Sequence, residues 1–235
     1  MTNAALDVVL PVHNEAPSIE AVLQELYREL SGRLPVRIIV SEDGSTDGTP
    51  DILCRMKERF PMHVITGPRR KGYSRAVIDA LAAANAPYVV ALDSDGQCDP
   101  ADFWPFWERR SQFDVLIGRR SPRRDPWLRL LCSKAFYLIY RLLFPVPVHD
   151  PSCPYVLISQ KAIARVLPHL GTLDQGFWWE FIARCYHHGF RIGELPVRHR
   201  VRTHGASQIY RARSLPRIAL SHLSGLISIW RQTHR

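Results

Sequence analysis

The stretch Asp93-Ser94-Asp95-Gly96-Gln97 follows directly on the apolar run VVAL at 89–92. A buried strand that ends this way delivers two carboxylates and an amide into one tight turn. Carboxylates so close repel, so a positive group between them is expected. An Asx-type turn capping the next helix is the plainer explanation of any single Asp-x-Asp. Hard divalent cations such as Mg²⁺ and Mn²⁺ take oxygen ligands and usually keep waters and substrate phosphates in their shell. Asp95 and Gln97 could supply two protein oxygens. Asp93 could hold a sugar or ribose hydroxyl, or support the metal from behind. A cation here would offset charge growing on a departing nucleoside diphosphate.

Two other stretches have residue types suited to the same chemistry. SEDGSTDGT at 41–49 sets Asp43 and Asp47 beside Gly44 and Gly48. It reads either as a polar turn capping a helix or as a nucleotide contact, with Asp43 accepting hydrogen bonds from a base or a ribose hydroxyl. GPRRKGYSRA at 67–76 gathers Arg69, Arg70, Lys71 and Arg75 around Gly72 just before a helix. A helix N-terminus with basic residues suits a phosphate. No G-x-G-x-x-G follows the first strand and no Walker loop is present, so dinucleotide-binding and P-loop sites are disfavoured.

The elements that must position these residues alternate. LDVVLP, VRIIVS, MHVITG, PYVVALD and DVLIGRR read as apolar strands. Between the first two, Ile19, Val22, Leu23, Leu26, Tyr27 and Leu30 recur at helical spacing behind a possible N-cap, Ser18. Thr49-Pro50 and Asp99-Pro100 open further helices, and SRAVIDALAAA makes another. Alternating strands and helices predict an α/β fold with a mostly parallel sheet covered on both faces. Ligands of such sheets bind beyond the carboxyl ends of the strands, and HNE, EDGSTDG, DSDGQ and GRR all lie there.

The 235 residues suit one α/β domain with at most a small appendage, and 46% hydrophobic content excludes disorder. A formal net charge of +9 points to anionic partners. The five cysteines are scattered without a Cys-x-x-Cys pair, which argues against zinc or a disulfide framework and fits a reducing compartment. The N-terminus has no signal-peptide pattern. The apolar segment IALSHLSGLISIW, thirteen residues, is shorter than a membrane span.

VVLPVHNE, VSEDGSTDGT, RRKGYSRA, ALDSDGQCDP and IGRR resemble, in order and spacing, the successive motifs of family 2 glycosyltransferases with the GT-A fold. The subgroup they most resemble is the polyprenyl-phosphate glycosyltransferases of the dolichyl-phosphate mannosyltransferase type, over about residues 6–210. The resemblance implies metal ligation by Asp95 and Gln97, with Mg²⁺ or Mn²⁺ as cofactor. It implies contacts to a GDP- or UDP-sugar from Pro11, Glu15, Asp43 and Asp93, and it adds Lys71 of the basic loop. The ending LPVRHRVRTHGASQ brings in Arg202 and Ser207. DPSCPYVLISQKAI matches the family's Asp-x-x-x-Gly-Phe segment loosely, with Cys153-Pro154 in place of small residues. Glu42 replaces a common Asp, and Arg75 stands where small residues are usual.

The acceptor is read from charge. Transfer to a hydroxyl needs a general base. Hydroxyl-acceptor relatives often carry a Glu-Asp pair on the late helix, where this chain has Glu180-Phe181. A phosphate monoester has its second pKa near about 6 and is already a nucleophile at neutral pH. It needs cations instead, and Arg119, Arg120, Arg129, Lys134, Arg200 and Arg202 are candidates. Arg120, Arg129, Ser133 and Arg202 are the residues expected at the acceptor phosphate. WLRLLCSKAFYLIYRLLF at 127–144 and a stripe of Ala219, Leu223, Leu226, Ile227 and Trp230 read as helices lying in a membrane interface, with core or dimer helices as the alternative. The expected organisation is a transferase domain over 1–210 and an amphipathic helix over 211–235, peripheral on the cytoplasmic face of the cell membrane. A hydroxyl-acceptor transferase is the competing enzyme. Nucleic-acid binding, suggested by charge alone, lacks an aromatic-basic platform or recognition helix.

Overall fold

A computed structural model describes residues 4–121, 127–174, 176–201 and 215–233, with residues 127–132 and 215–220 described through their backbone alone. One seven-stranded sheet organises the chain in the order β3-β2-β1-β4-β6-β5-β7. β1 (Leu6–Val12) lies third in it, next to the central strand, and is buried along its whole length. Such a strand has both faces covered, which explains an apolar run without alternation. β2 (Val36–Glu42) and β4 (Tyr88–Ala91) pair with it in parallel on either side, and β3 (Met62–Ile65) extends β2. The chain therefore leaves β1 in both directions across the sheet. The crevice for a ligand opens beyond the carboxyl ends at such a switch point. α1 (Ile19–Ser31), α2 (Thr49–Lys57) and α3 (Tyr73–Ala83) make the crossovers. α3 packs on β1 and β2.

The second half departs from simple alternation. β5 (Val115–Arg120) is not the neighbour of β4. β6 (Val156–Ser159) inserts between them, antiparallel to both, and β7 (Ile192–Val197) closes the far edge parallel to β5. Neither β6 nor β7 was expected from the pattern. β6 is four residues long, too short to show a period. β7 carries Pro196, which an edge strand tolerates because one side of its ladder is unpaired. The inserted strand brings residues 150–155 to the same edge as the carboxyl ends of β4 and β5.

Local starts also shift for identifiable reasons. Thr49 was expected to cap α2, but its Oγ1 accepts the N–H of Glu15 at 3.0 Å. Asp47 Oδ1 takes the Thr49 N–H instead, at 2.9 Å. Ser18 does occupy the N-cap of α1, although its hydroxyl donates to the Glu15 carboxylate at 2.9 Å. Asp99-Pro100 opens a single 3₁₀ turn (Pro100–Asp102), with Asp99 accepting the Ala101 N–H, before α4 (Phe103–Glu108).

Three helices form a layer beyond the sheet. α5 (Trp127–Leu143) surrounds Trp179 of α7 (Phe177–His187) with Phe136 and Tyr140, both at 4.8 Å between ring centroids. α8 (Leu215–Thr233) turns Leu226 and Ile229 inward, where both are fully buried. The expected C-terminal stripe therefore splits: Leu226 packs on the protein, while Ile227 and Trp230 are exposed. α6 (Gln160–Val166) follows β6.

A buried ion pair holds this layer together. Glu180 is fully buried, and its Oε2 accepts the N–H groups of Gly171, Thr172 and Leu173. Its Oε1 takes Arg184 Nε at 2.9 Å. Arg184 also donates to Thr172 Oγ1 and to Gln232 of α8. Glu180→Gln strands the Arg184 charge and is expected to cost about 3–5 kcal/mol of folding stability. Urea unfolding checks this. A loss under about 1 kcal/mol refutes the role.

Candidate active site

Four loops meet at the carboxyl edge of β1, β2 and β4, and their polar groups are bonded to one another in detail. After β1, Asn14 adopts a left-handed backbone, φ 54°, which asparagine tolerates better than most residues. Its N–H donates to Ser45 Oγ at 2.9 Å, and its Oδ1 accepts the Thr46 N–H at 2.8 Å. Asp47 Oδ2 accepts the N–H of Ala16. Burial works against a charge on Asp47, but hydrogen bonds from Thr49 and Ala16 outweigh it and leave its carboxyl below the usual range. The HNE and DGSTDG loops are thus one unit. Pro11 is buried, and its carbonyl accepts the Ser94 hydroxyl at 2.9 Å. Glu15, also buried, holds Ser18.

Asp43 directly follows β2 and is almost fully buried. Its carboxylate accepts the backbone N–H groups of Lys71 and Gly72, the latter at 2.9 Å. The group expected on a base or ribose is here turned on the basic loop, which it pins in place. Gly44 makes that approach possible. It has φ +65°, and a Cβ there would lie 2.5 Å from Arg70 N and 2.6 Å from the Arg69 carbonyl carbon. The Lys71 ammonium pairs with Asp79, which also holds Arg75 at 3.0 Å. Arg69 and Arg70 remain exposed beside them.

The DSDGQ turn has the Asx geometry expected of it. Asp95 Oδ1 accepts the Gln97 N–H at 3.0 Å, an Asx turn with Gly96 at φ +76°. Asp93 Oδ1 accepts the hydroxyl of Tyr73, the first residue of α3, at 2.8 Å. Tyr73 in turn accepts Trp178 Nε1 at 2.9 Å. Burial, then the charge of Asp93, push the Tyr73 phenol well above the ordinary tyrosine range, so it is a neutral donor. The Gln97 side chain donates through Nε2 to the Arg200 carbonyl at 3.2 Å, which commits its nitrogen to the protein and leaves the amide oxygen as its other end. Burial and then Asp93 raise the neighbouring Cys98 thiol as well, so it stays protonated.

Segment 198–200 lies across this turn. Arg200 N–H donates to the Gln97 carbonyl, and Cys98 bridges to His199. Arg200, expected among the cations for an acceptor phosphate, is instead held by Glu25 at 3.0 Å and Asp99 at 2.9 Å. Arg120 is held too: Nε and Nη2 make two 2.8 Å bonds to the Asp150 carboxylate, and Nη2 reaches Ser152 Oγ at 2.7 Å. This bidentate pair is well shielded, the side chains being 11% and 6% exposed. It joins IGRR to the DPSCP segment. Of the other expected acceptor residues, Ser133 is half-buried on α5 and Arg129 lies on the same helix, where the backbone alone is described. Arg202 and Ser207 fall outside the described residues.

The structure therefore brings Pro11, Glu15, Asp43, Lys71, Asp93, Asp95 and Gln97 to one edge. It adds Tyr73, Trp178, Asn14 and Asp150, none of which had been singled out. Tyr73 was hidden in a loop whose cations drew attention, and Trp178 in an aromatic run that reads as core. Asp150 had a signal, its place in the loosely matched DPSCP segment. Gly44→Ala is expected to cost about 1–3 kcal/mol, from the strained φ and the clash with the loop. Hydrogen exchange should speed at the Lys71 and Gly72 amides, and protection equal to the parent's would show that Gly44 does not set this contact.

Known proteins resemble this chain in sequence and in fold. The model of the Glycosyl transferase family 2 matches residues 7–167. An uncharacterized glycosyltransferase of Mycobacterium tuberculosis is 31% identical over 217 residues, 89% of this chain and 91% of that one. The dodecaprenyl-phosphate galacturonate synthase of Rhizobium johnstonii is 29% identical over 227 residues, 93% of this chain and 65% of that one. In fold, the chain is similar to glucosyl-3-phosphoglycerate synthase from Mycobacterium tuberculosis, solved with Mn²⁺, uridine diphosphate and phosphoglyceric acid. The TM-score is 0.73 at 18% identity, over 97% of this chain and 78% of that one.

Proposed function

Because the chain belongs to glycosyl transferase family 2, we propose that it transfers a sugar with inversion from a nucleotide-sugar donor to a polyprenyl phosphate. The observation that supports the acceptor is the state of Glu180. This carboxylate stands on the late helix where a hydroxyl acceptor would want a base, but three backbone N–H groups and Arg184 occupy it. A phosphate needs no base: at pH 7 its oxygen attacks the anomeric carbon already ionised, forming a new C–O bond as the bond to the diphosphate breaks. The galacturonate synthase of Rhizobium johnstonii, named for a dodecaprenyl phosphate, adds support.

The donor side suits a nucleoside diphosphate and a hard cation. Asp95 and the Gln97 amide oxygen are the residues to hold Mg²⁺ or Mn²⁺. Among the described residues no group of three or more His, Cys, Asp or Glu is placed to hold a metal ion; a Mg²⁺ here would also take oxygens from the donor phosphates and water, as is usual for it. The cation supplies charge stabilisation to the leaving diphosphate. Asp93 holds a donor hydroxyl, and Pro11, Glu15 and Asp43 shape the nucleotide side. Lys71 and Ser207 flank the phosphates. Asp95→Ala should abolish transfer. Arg129→Ala and Arg202→Ala should each slow transfer to polyprenyl phosphate about ten- to a hundredfold, the worth of one charge-assisted contact. Steady-state kinetics with polyprenyl phosphate and with the matching polyprenol decide: efficient glycosylation of the alcohol overturns the phosphate reading in favour of a hydroxyl acceptor.

The same proposal places the enzyme on the cytoplasmic face of the cell membrane, with residues 1–210 as the transferase domain and 211–235 as a docking helix. Support comes from Leu142 at 86% and Leu138 at 59% exposure on α5, and from exposed Ile227 and Trp230 on α8. Exposed Lys134, Arg141 and Arg231 flank them, matching an anionic bilayer. No helix among the described residues is long and apolar enough to cross a membrane. Replacing Leu142 and Trp230 together by Glu should release the protein from phosphatidylglycerol vesicles in a sedimentation assay. Unchanged co-sedimentation removes this face from the proposal.

A further inference from the structure

We propose that Tyr73 is a positioning residue that aims the Asp93 carboxylate at the donor, and that Trp178 acts through it. The inference rests on the nucleotide-sugar reading of this edge.

Hydrogen-bond direction carries the argument. An indole N–H donates and cannot accept, so in the 2.9 Å contact Tyr73 must be the acceptor. A phenol has one proton. With its oxygen receiving Trp178, that proton is directed to Asp93 Oδ1 at 2.8 Å. Trp178 thus selects the hydroxyl's direction, and the hydroxyl selects one carboxylate orientation. Both partners are themselves fixed. Trp178 is 4% exposed on a helix whose residues 177–185 are all buried. Tyr73 is the first residue of α3, and its neighbour Ser74 donates to the carbonyls of Leu173 and Asp174 at 2.7 and 2.9 Å. Those carbonyls belong to the loop that Glu180 holds. The Tyr73 bond restrains the rotation of the Asp93 carboxylate, which matters for a group that must meet one hydroxyl of a flexible donor.

Tyr73→Phe removes the proton and keeps the ring, and Trp178→Phe removes the indole donor. Titration calorimetry with UDP-glucose and with GDP-mannose, each with Mn²⁺, reads donor affinity, and slow donor hydrolysis separates KM from kcat. For whichever donor the parent binds, Tyr73→Phe should weaken binding on the order of tenfold, the usual worth of one hydrogen bond to a charged group. Hydrolysis KM should rise with kcat little changed. Trp178→Phe should weaken binding less, and should add nothing in the Tyr73→Phe background, because it acts through the lost hydroxyl. Melting temperatures within a few degrees of the parent are part of the expected result. Parent-like donor affinity in Tyr73→Phe overturns the inference while the nucleotide-sugar reading stands. Additive effects of the two substitutions overturn the role given to Trp178. Absence of any donor binding by the parent overturns the reading and the inference together.

Discussion

Residues 71–74 are the joint on which the donor edge depends. The backbone N–H groups of Lys71 and Gly72 satisfy Asp43, the Tyr73 hydroxyl satisfies Asp93, and the Ser74 hydroxyl grips the carbonyls of Leu173 and Asp174. Two acids at the ends of β2 and β4 are thereby held by consecutive residues at the start of one helix. Carboxylates gathered this closely repel, and each bond to an N–H or O–H dipole lowers the cost of keeping them charged. The Lys71 and Gly72 amides and the Tyr73 hydroxyl are neutral donors. Arg70 adds a longer charged contact to Asp43, its Nε 3.8 Å from Oδ2.

The same joint explains why the second half of the chain is more than a cover for the sheet. β6, inserted antiparallel, puts Asp150 where it can take both bonds from Arg120 at the end of β5. Segment 198–200 then crosses the DSDGQ turn, and Arg198 and Arg200 fasten it to Asp99, Asp102 and Glu25. Much of the chain's positive charge near the site is spent on this internal fastening. An excess of arginine in a sequence therefore overstates the number of cations facing a ligand. Arg120 and Arg200 read in sequence as cations for a ligand, yet both are bound into carboxylate pairs.

What was legible beforehand followed from repetition and from strand ends. Five strands with their intervening helices, the parallel core of the sheet and the convergence of HNE, EDGSTDG, DSDGQ and GRR all follow from apolar runs broken by polar turns. β6 and β7 were not legible, because a four-residue strand has no period and an edge strand with a proline breaks the strand pattern. The partners of Asp43 and Asp93 were equally hidden. They lie 20 or more residues away in sequence, and nothing local says which way a tyrosine at a helix start will point. The surroundings of Glu180 were hidden for the same reason: Glu180-Phe181 in place of a Glu-Asp pair argued against a base, but nothing local shows that three amides and Arg184 occupy the carboxylate.

Those amides connect the two ends of the molecule. From Asp93 a continuous series of bonds runs through Tyr73 to Trp178 on α7. A second runs from Ser74 to the 171–174 loop, through Glu180 and Arg184, to Gln232 on α8. α8 also carries exposed Ile227 and Trp230. A helix layer that only covered the sheet could pack through side-chain carbons alone, and burying an ion pair there would be a poor way to gain stability. Its use makes sense as registration. Apolar contacts slide with little change in energy, whereas a carboxylate holding three N–H groups and a guanidinium loses all of them with a small displacement. The exposed apolar side chains of α8 and the DSDGQ turn are thereby kept at fixed spacing, which is what the proposed transfer to a membrane-held phosphate would require.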